Sequence, residues 1–312
     1  MKWLKGLIIV IVILVFSYIT VSLIYPEKIY SLAYKIQRSS ANLEKKEIST
    51  GDYKFIYLEG NPAAEQSATI VLLHGFGVDK DRWLKMAGHM KEYHLVIPDI
   101  PGFGESEKNP SLTYDIPSQV KRLNSFTEKI GLKKFYMAGN SMGGYIAGIY
   151  AAKHPGKING LILIDNAGVS MPIKSTAFKM VDNGINPLLI SDKKEFERMI
   201  KLAFYEKPFI PFPLKGYMIE KSIQNRPFNE KIFIESFTDH TMLEREMKKL
   251  TMPVLIIWGD KDEILDISSV SVLEKGIKKY TTKILKNCGH VPMMERPEET
   301  AGYITSFIKS SK

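Results

Sequence analysis

The stretch Phe135-Tyr136-Met137-Ala138-Gly139-Asn140-Ser141-Met142-Gly143-Gly144-Tyr145-Ile146-Ala147-Gly148-Ile149-Tyr150-Ala151-Ala152 decides the fold. A short apolar run, Phe135–Ala138, ends at a glycine, a serine follows at G-x-S-x-G spacing, and an apolar helix-like stretch comes next. The order is strand, sharp turn, helix. In so tight a turn, side chains two before and two after the serine would collide with neighbouring backbone. Gly139 and Gly143 remove that collision and lift the Ser141 hydroxyl clear of the sheet. The helix start points its amides, first that of Met142, at negative charge developing beside the serine. A hydroxyl in this position needs a base, and the base needs a group to orient it.

Outward from this turn, short apolar runs alternate with helix-like stretches. The runs are Tyr53–Leu58, Thr69–Leu73, Leu95–Pro98, Phe135–Ala138, Leu161–Ile164, Val254–Trp258 and Lys283–Leu285. Helical patterns cover Pro117–Ile130, Met142–Lys153, Ile267–Lys279 and Pro297–Lys309. Such alternation predicts an α/β fold, a mostly parallel sheet flanked by helices on both faces. One segment breaks the rhythm. Gly168–Leu250 lacks a clear buried strand and holds 8 of the 15 Phe and 6 of the 14 Met. It reads as a helical cap inserted over the carboxyl edge of the sheet, where open α/β sheets bind ligands. Most of its aromatic side chains must form the cap's own core, but a segment of this size needs neighbouring surface to cover them all.

The partners of the serine are sought at the carboxyl ends of other strands. Trp258-Gly259-Asp260-Lys261-Asp262 follows a buried run, and Asn287-Cys288-Gly289-His290 follows the last strand. His290 therefore has a loop position from which it can reach Ser141. His89, His94, His154 and His240 lie in charged sequence and read as solvated. His74-Gly75-Phe76-Gly77 follows the strand Thr69–Leu73. Its glycines let the backbone approach a substrate, so the Phe76 N–H is expected to join that of Met142 as the second donor of an oxyanion hole. His74 itself reads as a turn-stabilising side chain. Asp99-Ile100-Pro101-Gly102-Phe103-Gly104-Glu105-Ser106 reads as a rigid turn shaping the sheet edge.

The N-terminus is a separate object. Gly6–Tyr25 is a run of 20 residues without a charge. As a helix it would be about 30 Å long, the thickness of a bilayer core, and Pro26 ends it. A cleaved signal would have a shorter apolar core and small residues at its end, whereas Ser22-Leu23-Ile24-Tyr25 has no such pattern. Residues 1–26 are thus expected to be a membrane anchor, single-pass. Lysines flank both of its ends, so charge assigns no side of the membrane to the rest. Residues 27–52 read as a basic linker lying on the membrane surface or as a packed N-terminal helix. Residues 53–312 form the catalytic domain, with the cap at about 168–250.

Composition agrees. The chain of 312 residues has 45% hydrophobic and 25% charged residues, which excludes disordered, collagen-like and multi-pass membrane chains. Cys288 is the one cysteine, so neither an internal disulfide nor a cysteine-based zinc cluster is available. A net charge of +9 over this length fits an anionic membrane surface, and no basic motif points to nucleic acid. Nothing in the sequence assigns an oligomeric state.

Taken together, H-G-F, D-x-P-G-x-G-x-S, G-x-S-M-G-G, W-G-x-x-D and N-C-G-H resemble the motifs of the α/β-hydrolase superfamily over nearly all of Tyr53–Ser310. Ile256-Ile257-Trp258-Gly259 through Leu265-Asp266, Asn287–His290 and Met294-Glu295-Arg296-Pro297, with the anchor before them, resemble the membrane-anchored monoacylglycerol lipases of the hydrolase-domain family. Bacterial lipases share the HGFG and GNSMGG arrangement. The resemblance implies Ser141 as nucleophile, Asp262 as acid, His290 as base, and Phe76 and Met142 as oxyanion donors that also contact substrate. It implies an acyl cleft under the cap, a lipid ester as substrate, and no metal or organic cofactor. Asp165, at the end of a strand, is the alternative acid, and Asp260, Glu263 and Asp266 are near neighbours. Two rival functions use the same residues differently: a carbon–carbon or haloperoxidase-like hydrolase with this triad, or a non-catalytic membrane-tethered binding protein.

Overall fold

Parallel strands buried on both faces read as unbroken apolar runs, and in the computed structural model the expected runs become strands of one sheet. Residues 2–51, 53–61 and 68–311 are described. Met1 of the expected anchor, Asp52 of the expected linker and Lys312 lie outside them. Along the chain, α1 (Lys2–Ile24) and α2 (Pro26–Ser40) precede β1 (Leu43–Ser49), β2 (Lys54–Gly60) and β3 (Thr69–Leu73). Then come α3 (Leu84–Ala87), β4 (His94–Pro98), α4 (Ile116–Lys129), β5 (Phe135–Asn140), α5 (Met142–Lys153) and β6 (Ile158–Ile164). The cap holds α6 (Thr176–Asp182), α7 (Lys193–Ala203), α8 (Phe212–Phe237) and α9 (Met242–Glu246). The chain ends with β7 (Val254–Gly259), α10 (Ser269–Gly276), β8 (Tyr280–Leu285), α11 (Pro292–Glu295) and α12 (Pro297–Ser310).

The eight strands lie in the order β1-β2-β4-β3-β5-β6-β7-β8. From β4 to β8 every pairing is parallel, while β2 runs antiparallel to both β1 and β4. Alternation of side chains along each strand divides the core in two. Val71, Leu73, Met137, Leu161, Leu163, Val254 and Ile256 pack on one face with α4 and α5. Ile70, Leu72, Ala138, Ile162, Ile164, Leu255 and Ile257 pack on the other with α3 and α12. Helix α5 is buried from Met142 to Ala152 because it sits between the sheet and α9. A helix buried all round must be apolar all round, as its sequence is.

Residues 27–52 are more ordered than a linker. Pro26 occupies the first turn of α2, and β1 pairs with β2 from Leu43↔Gly60 to Ser49↔Lys54, so the sheet starts one strand earlier than expected. Helix α2 is fastened to the body by Arg38, whose Nε and Nη2 donate to the two Asp81 carboxylate oxygens at 2.7 and 2.5 Å. Within α1, Trp3–Val21 has a mean hydropathy of 2.6 and none of it is buried against protein. That fits a membrane anchor, since an apolar helix exposed on every side needs lipid around it.

Candidate active site

The β5–α5 turn places Ser141 at φ 57° and ψ −121°, a conformation most L residues avoid. Close packing holds it there. A Cβ at Gly139 would lie 2.2 Å from the Gly143 carbonyl oxygen, and one at Gly143 would lie 2.3 Å from that of Leu73, so neither position admits a side chain. Ser141 N–H donates to Ile164 O at 3.1 Å, and its carbonyl accepts from Ala167 N and Tyr145 N. The serine is thus fixed to the end of β6 as well as to α5.

His290 lies in the loop between β8 and α11, and its Nδ1 is 2.7 Å from Asp262 Oδ2. Asp262 follows β7 by three residues. Its other oxygen, Oδ1, accepts the N–H groups of Ile264 and Leu265 at 2.8 and 3.0 Å, which fixes the carboxylate's orientation. Ser141, Asp262 and His290 are all buried. Asn140, next to the serine, donates from Nδ2 to His290 O at 2.9 Å and to Ile164 O at 3.2 Å. One amide thereby ties the histidine loop to the serine turn. His290 N–H donates to Ala203 O at 2.9 Å, so the end of α7 in the cap holds the same loop from the other side.

Asp165, the alternative acid, is fully buried at φ 42° and sits against the same pair. Its Oδ1 accepts the Gly259 N–H at 2.9 Å, while Oδ2 has no hydrogen-bond partner among the described residues. Burial, and then the neighbouring Asp262 charge, push its carboxyl well above the usual carboxylate range. One ligand atom each of Asp165, Asp262 and His290 lies within 4.8 Å of the others. Of the contacts among the three side chains, the hydrogen bond is that between His290 Nδ1 and Asp262 Oδ2, and Asp165 is held by the Gly259 N–H.

The turn after β3 approaches closely. A Cβ at Gly75 would lie 3.2 Å from Ser141 Cβ, which puts the Phe76 amide beside the serine. Among the described residues neither Phe76 N–H nor Met142 N–H donates to a protein acceptor. The Phe76 ring reaches up to the cap, 5.6 Å from Phe233 and 6.2 Å from Phe237 between centroids. His74 stabilises the turn, as expected: Nδ1 meets Gly75 O at 2.8 Å and Nε2 accepts the Ile100 N–H at 2.9 Å. Complete burial holds its imidazole below the ordinary value. His94 departs from expectation. It is only 14% exposed and bridges β2 and β3 through Glu59 and Thr69, at 2.9 and 3.0 Å.

Three features received no role from the sequence: Asn140, Glu295 and the cavity beside the serine turn. Asn140 occupies a variable position of its motif. Glu295 accepts the Gly289 N–H at 2.8 Å and the Glu206 N–H at 3.0 Å, strapping the cap to the histidine loop. The cavity, about 320 Å³, is lined in part by Gly77, Asn140 and Val291, the chain neighbours of Phe76, Ser141 and His290, and α2 forms part of its wall.

A strand–serine–helix turn, a histidine on a late loop and an acid after β7, on this sheet, define an α/β hydrolase. The chain belongs to the alpha/beta hydrolase fold family, whose model matches residues 68–297. It is 36% identical over 307 residues to monoacylglycerol lipase abhd6-B of Xenopus laevis, covering 94% of this chain and 90% of that one. It is 35% identical to Lipase 1 of Psychrobacter immobilis, covering 88% and 87%. Among solved structures it resembles a membrane phospholipase A described as a bacterial virulence factor, with a TM-score of 0.90, 38% identity, and 98% and 99% of the two chains covered.

Proposed function

We propose that this protein is a serine hydrolase that cleaves carboxylic esters of lipids, with monoacylglycerol as the substrate class to try first. The observation that carries this reading is the 2.7 Å hydrogen bond between His290 and Asp262, with the histidine loop tied through Asn140 to the Ser141 turn. Ser141 attacks the ester carbonyl as His290 Nε2 takes its proton. Asp262 holds the imidazole in the tautomer that leaves Nε2 free and stabilises its charged form. The oxyanion rests on the Phe76 and Met142 amides, each contributing about 3 kcal/mol. His290 returns the proton to the departing alcohol, and water activated by the same imidazole then cleaves the acyl-enzyme. Side chains and backbone amides supply all of this chemistry.

Residues 1–26 anchor the enzyme as a single-pass membrane protein, so that the site works on a substrate confined to lipid. A second reading, hydrolysis of a phospholipid acyl ester, is favoured by the 38% identity to the membrane phospholipase A over nearly the whole chain. The test is fatty-acid release by the full-length protein and its Ser141→Ala variant, in detergent, from monoacylglycerols of graded chain length. Release by the wild type alone supports the reading. Release by both variants would remove Ser141 from the mechanism. Cleavage only of short activated esters would keep the serine and discard the lipid substrate.

A further inference from the structure

The loop between β8 and α11 carries His290 outside any strand or helix, and Asn287 within it sits at φ 52°. Its peptide groups are clamped from outside instead. Arg296 Nη2 donates to Asn287 O at 2.9 Å, and the Lys261 N–H donates to Cys288 O at 2.9 Å. Asn140 Nδ2 and Ala203 O take the His290 carbonyl and N–H. The Gly289 N–H, directly before the histidine, donates to Glu295 Oε1 at 2.8 Å. Glu295 differs from the other clamps in gripping two segments with one side chain. Its Oε2 accepts the Glu206 N–H at 3.0 Å, in the cap segment that follows α7. Each strap uses its own carboxylate oxygen, which an amide with a single acceptor oxygen cannot reproduce.

The fit at this junction is close. A Cβ on Gly289 would lie 2.7 Å from Ala203 O, 2.8 Å from Tyr205 N and 2.9 Å from Glu295 Oε1. Short helix α11 aims the carboxylate: Pro292 starts its turn, and the Met294 and Glu295 N–H groups return to Val291 O, so the side chain folds back over the loop it follows. Burial lifts the Glu295 carboxyl above its ordinary value, although the surrounding N–H groups pull it down. We propose that Glu295 is a positioning residue for His290: its two oxygens brace the histidine loop against the cap segment Ala203–Glu206, so the seat of the base depends on the cap. This rests on the serine-hydrolase reading of Ser141 and His290 and says how that pair is kept aligned. Nδ1 must stay 2.7 Å from Asp262 Oδ2 while Nε2 is left for the serine. The imidazole goes where its backbone carries it, and a displacement of about 1 Å costs about a hundredfold in rate. Ala203 and Phe204 of the same cap segment line the cavity, so a substrate lying on that wall bears on the brace.

The test measures kcat and KM on a short soluble ester, per active site, with sites counted by complete labelling with a fluorophosphonate. Full-length wild type is compared with Glu295→Gln, Glu295→Ala and Glu206→Pro. Glutamine keeps one strap and alanine none, so kcat should fall about tenfold and about a hundredfold, with KM within about twofold of wild type. A brace serving stability alone would lower Tm and the number of sites and leave kcat per site unchanged. Glu206→Pro removes the cap's N–H while leaving Glu295 and its bond to Gly289 in place. It should lower kcat by itself and add nothing to Glu295→Ala, as two changes to one interaction do. Should Glu295→Ala fold poorly, Glu295→Met fills the space without accepting either N–H and takes its place. Unchanged kcat per site in the Glu295 variants overturns the positioning role. Additive losses from Glu295→Ala and Glu206→Pro overturn the dependence on the cap. If the wild type neither cleaves the ester nor takes the label at Ser141, the serine-hydrolase reading falls and this role with it.

Discussion

Asp165 and Asp262 bring two carboxyls to one imidazole, and their surroundings divide the labour. Asp262 Oδ1 accepts two backbone N–H groups and Oδ2 meets His290 Nδ1, so both of its oxygens are engaged. Asp165 receives one N–H and otherwise faces burial and the Asp262 charge, which push its carboxyl well above the usual carboxylate range. Asp262→Asn should therefore lower kcat by about 10⁴-fold by presenting the wrong tautomer, while Asp165→Asn, which can still accept from Gly259, should cost less than about tenfold. A pre-steady-state and steady-state comparison of the two variants decides which carboxyl orients His290; the reverse ranking would assign the role to Asp165. Stability gives a second check. A carboxyl whose folded value lies above its unfolded 3.8 contributes fully below that pH, and its contribution is lost as pH rises through the folded value. Asp165→Asn removes this loss, so its stability relative to wild type should improve from pH 5 to pH 9 in urea unfolding. A difference independent of pH would mean that Asp165 is ionised in the folded protein. At this scale the sequence made Ser141, His290 and the glycines around them legible, because a sharp strand–helix turn restricts which residues fit. It did not separate Asp262 from Asp165, since both follow apolar strands and only their hydrogen-bond partners tell them apart.

Helix α2 and strand β1 show what element-scale reading misses. β1 is Leu43-Glu44-Lys45-Lys46-Glu47-Ile48-Ser49, four charges in seven residues, with Leu43 alone fully buried. As the edge of the sheet it gains from that charge, which discourages pairing with other chains, but the same charge makes it read as linker. The interior strands were legible because both their faces are buried. The cavity wall supplied by α2 was not, because it depends on where Arg38 docks, some 40 residues away in sequence. That junction is testable. Arg38→Met leaves the buried Asp81 carboxylate without its bidentate partner, a loss of roughly 3 kcal/mol for a buried pair. Amide exchange in α2 should quicken by about a hundredfold while β5 and β6 keep their protection; unchanged exchange would show that α2 is held by its apolar contacts alone. Acid should loosen the same junction. Burial raises the Glu105 carboxyl, but Lys45 and Lys80 outweigh it and bring it down to about 2 from the ordinary 4.5. A depressed folded value contributes stability above pH 4.5 that is lost as pH falls towards 2. Glu105 is 41% exposed, so the effect is local and screened by salt. Exchange in α2 should rise across that window first at high salt.

At the scale of the whole molecule, α1, α2, the cavity and the serine turn are connected in sequence by shared residues. The exposed apolar helix α1 runs into α2 through Tyr25, whose carbonyl accepts from Lys28 N and Ile29 N. Helix α2 gives Tyr30, Ala33, Tyr34 and Gln37 to the cavity wall, and Asn140, the neighbour of Ser141, lines the same cavity. Helix α1 fits a membrane anchor, and held in lipid it would set where the cavity mouth stands relative to the surface. Two truncations separate these roles. Residues 25–312 retain α2 and Arg38 and lose only the apolar helix, whose 19-residue core has a mean hydropathy of 2.6. This form should leave the membrane fraction and hydrolyse a short soluble ester at the full-length rate. Its rate on monoacylglycerol in vesicles should drop at least tenfold, because the substrate is no longer concentrated beside it. Residues 41–312 lose the cavity wall and the Arg38–Asp81 clamp as well. If α2 is a working wall, this second form should also lose long-chain esters presented in detergent, where membrane attachment is irrelevant. Equal rates for both truncations on micellar long-chain ester would reduce α2 to a spacer. A gap between them on that substrate, with none on the short ester, assigns α2 to substrate binding and leaves α1 the task of attachment.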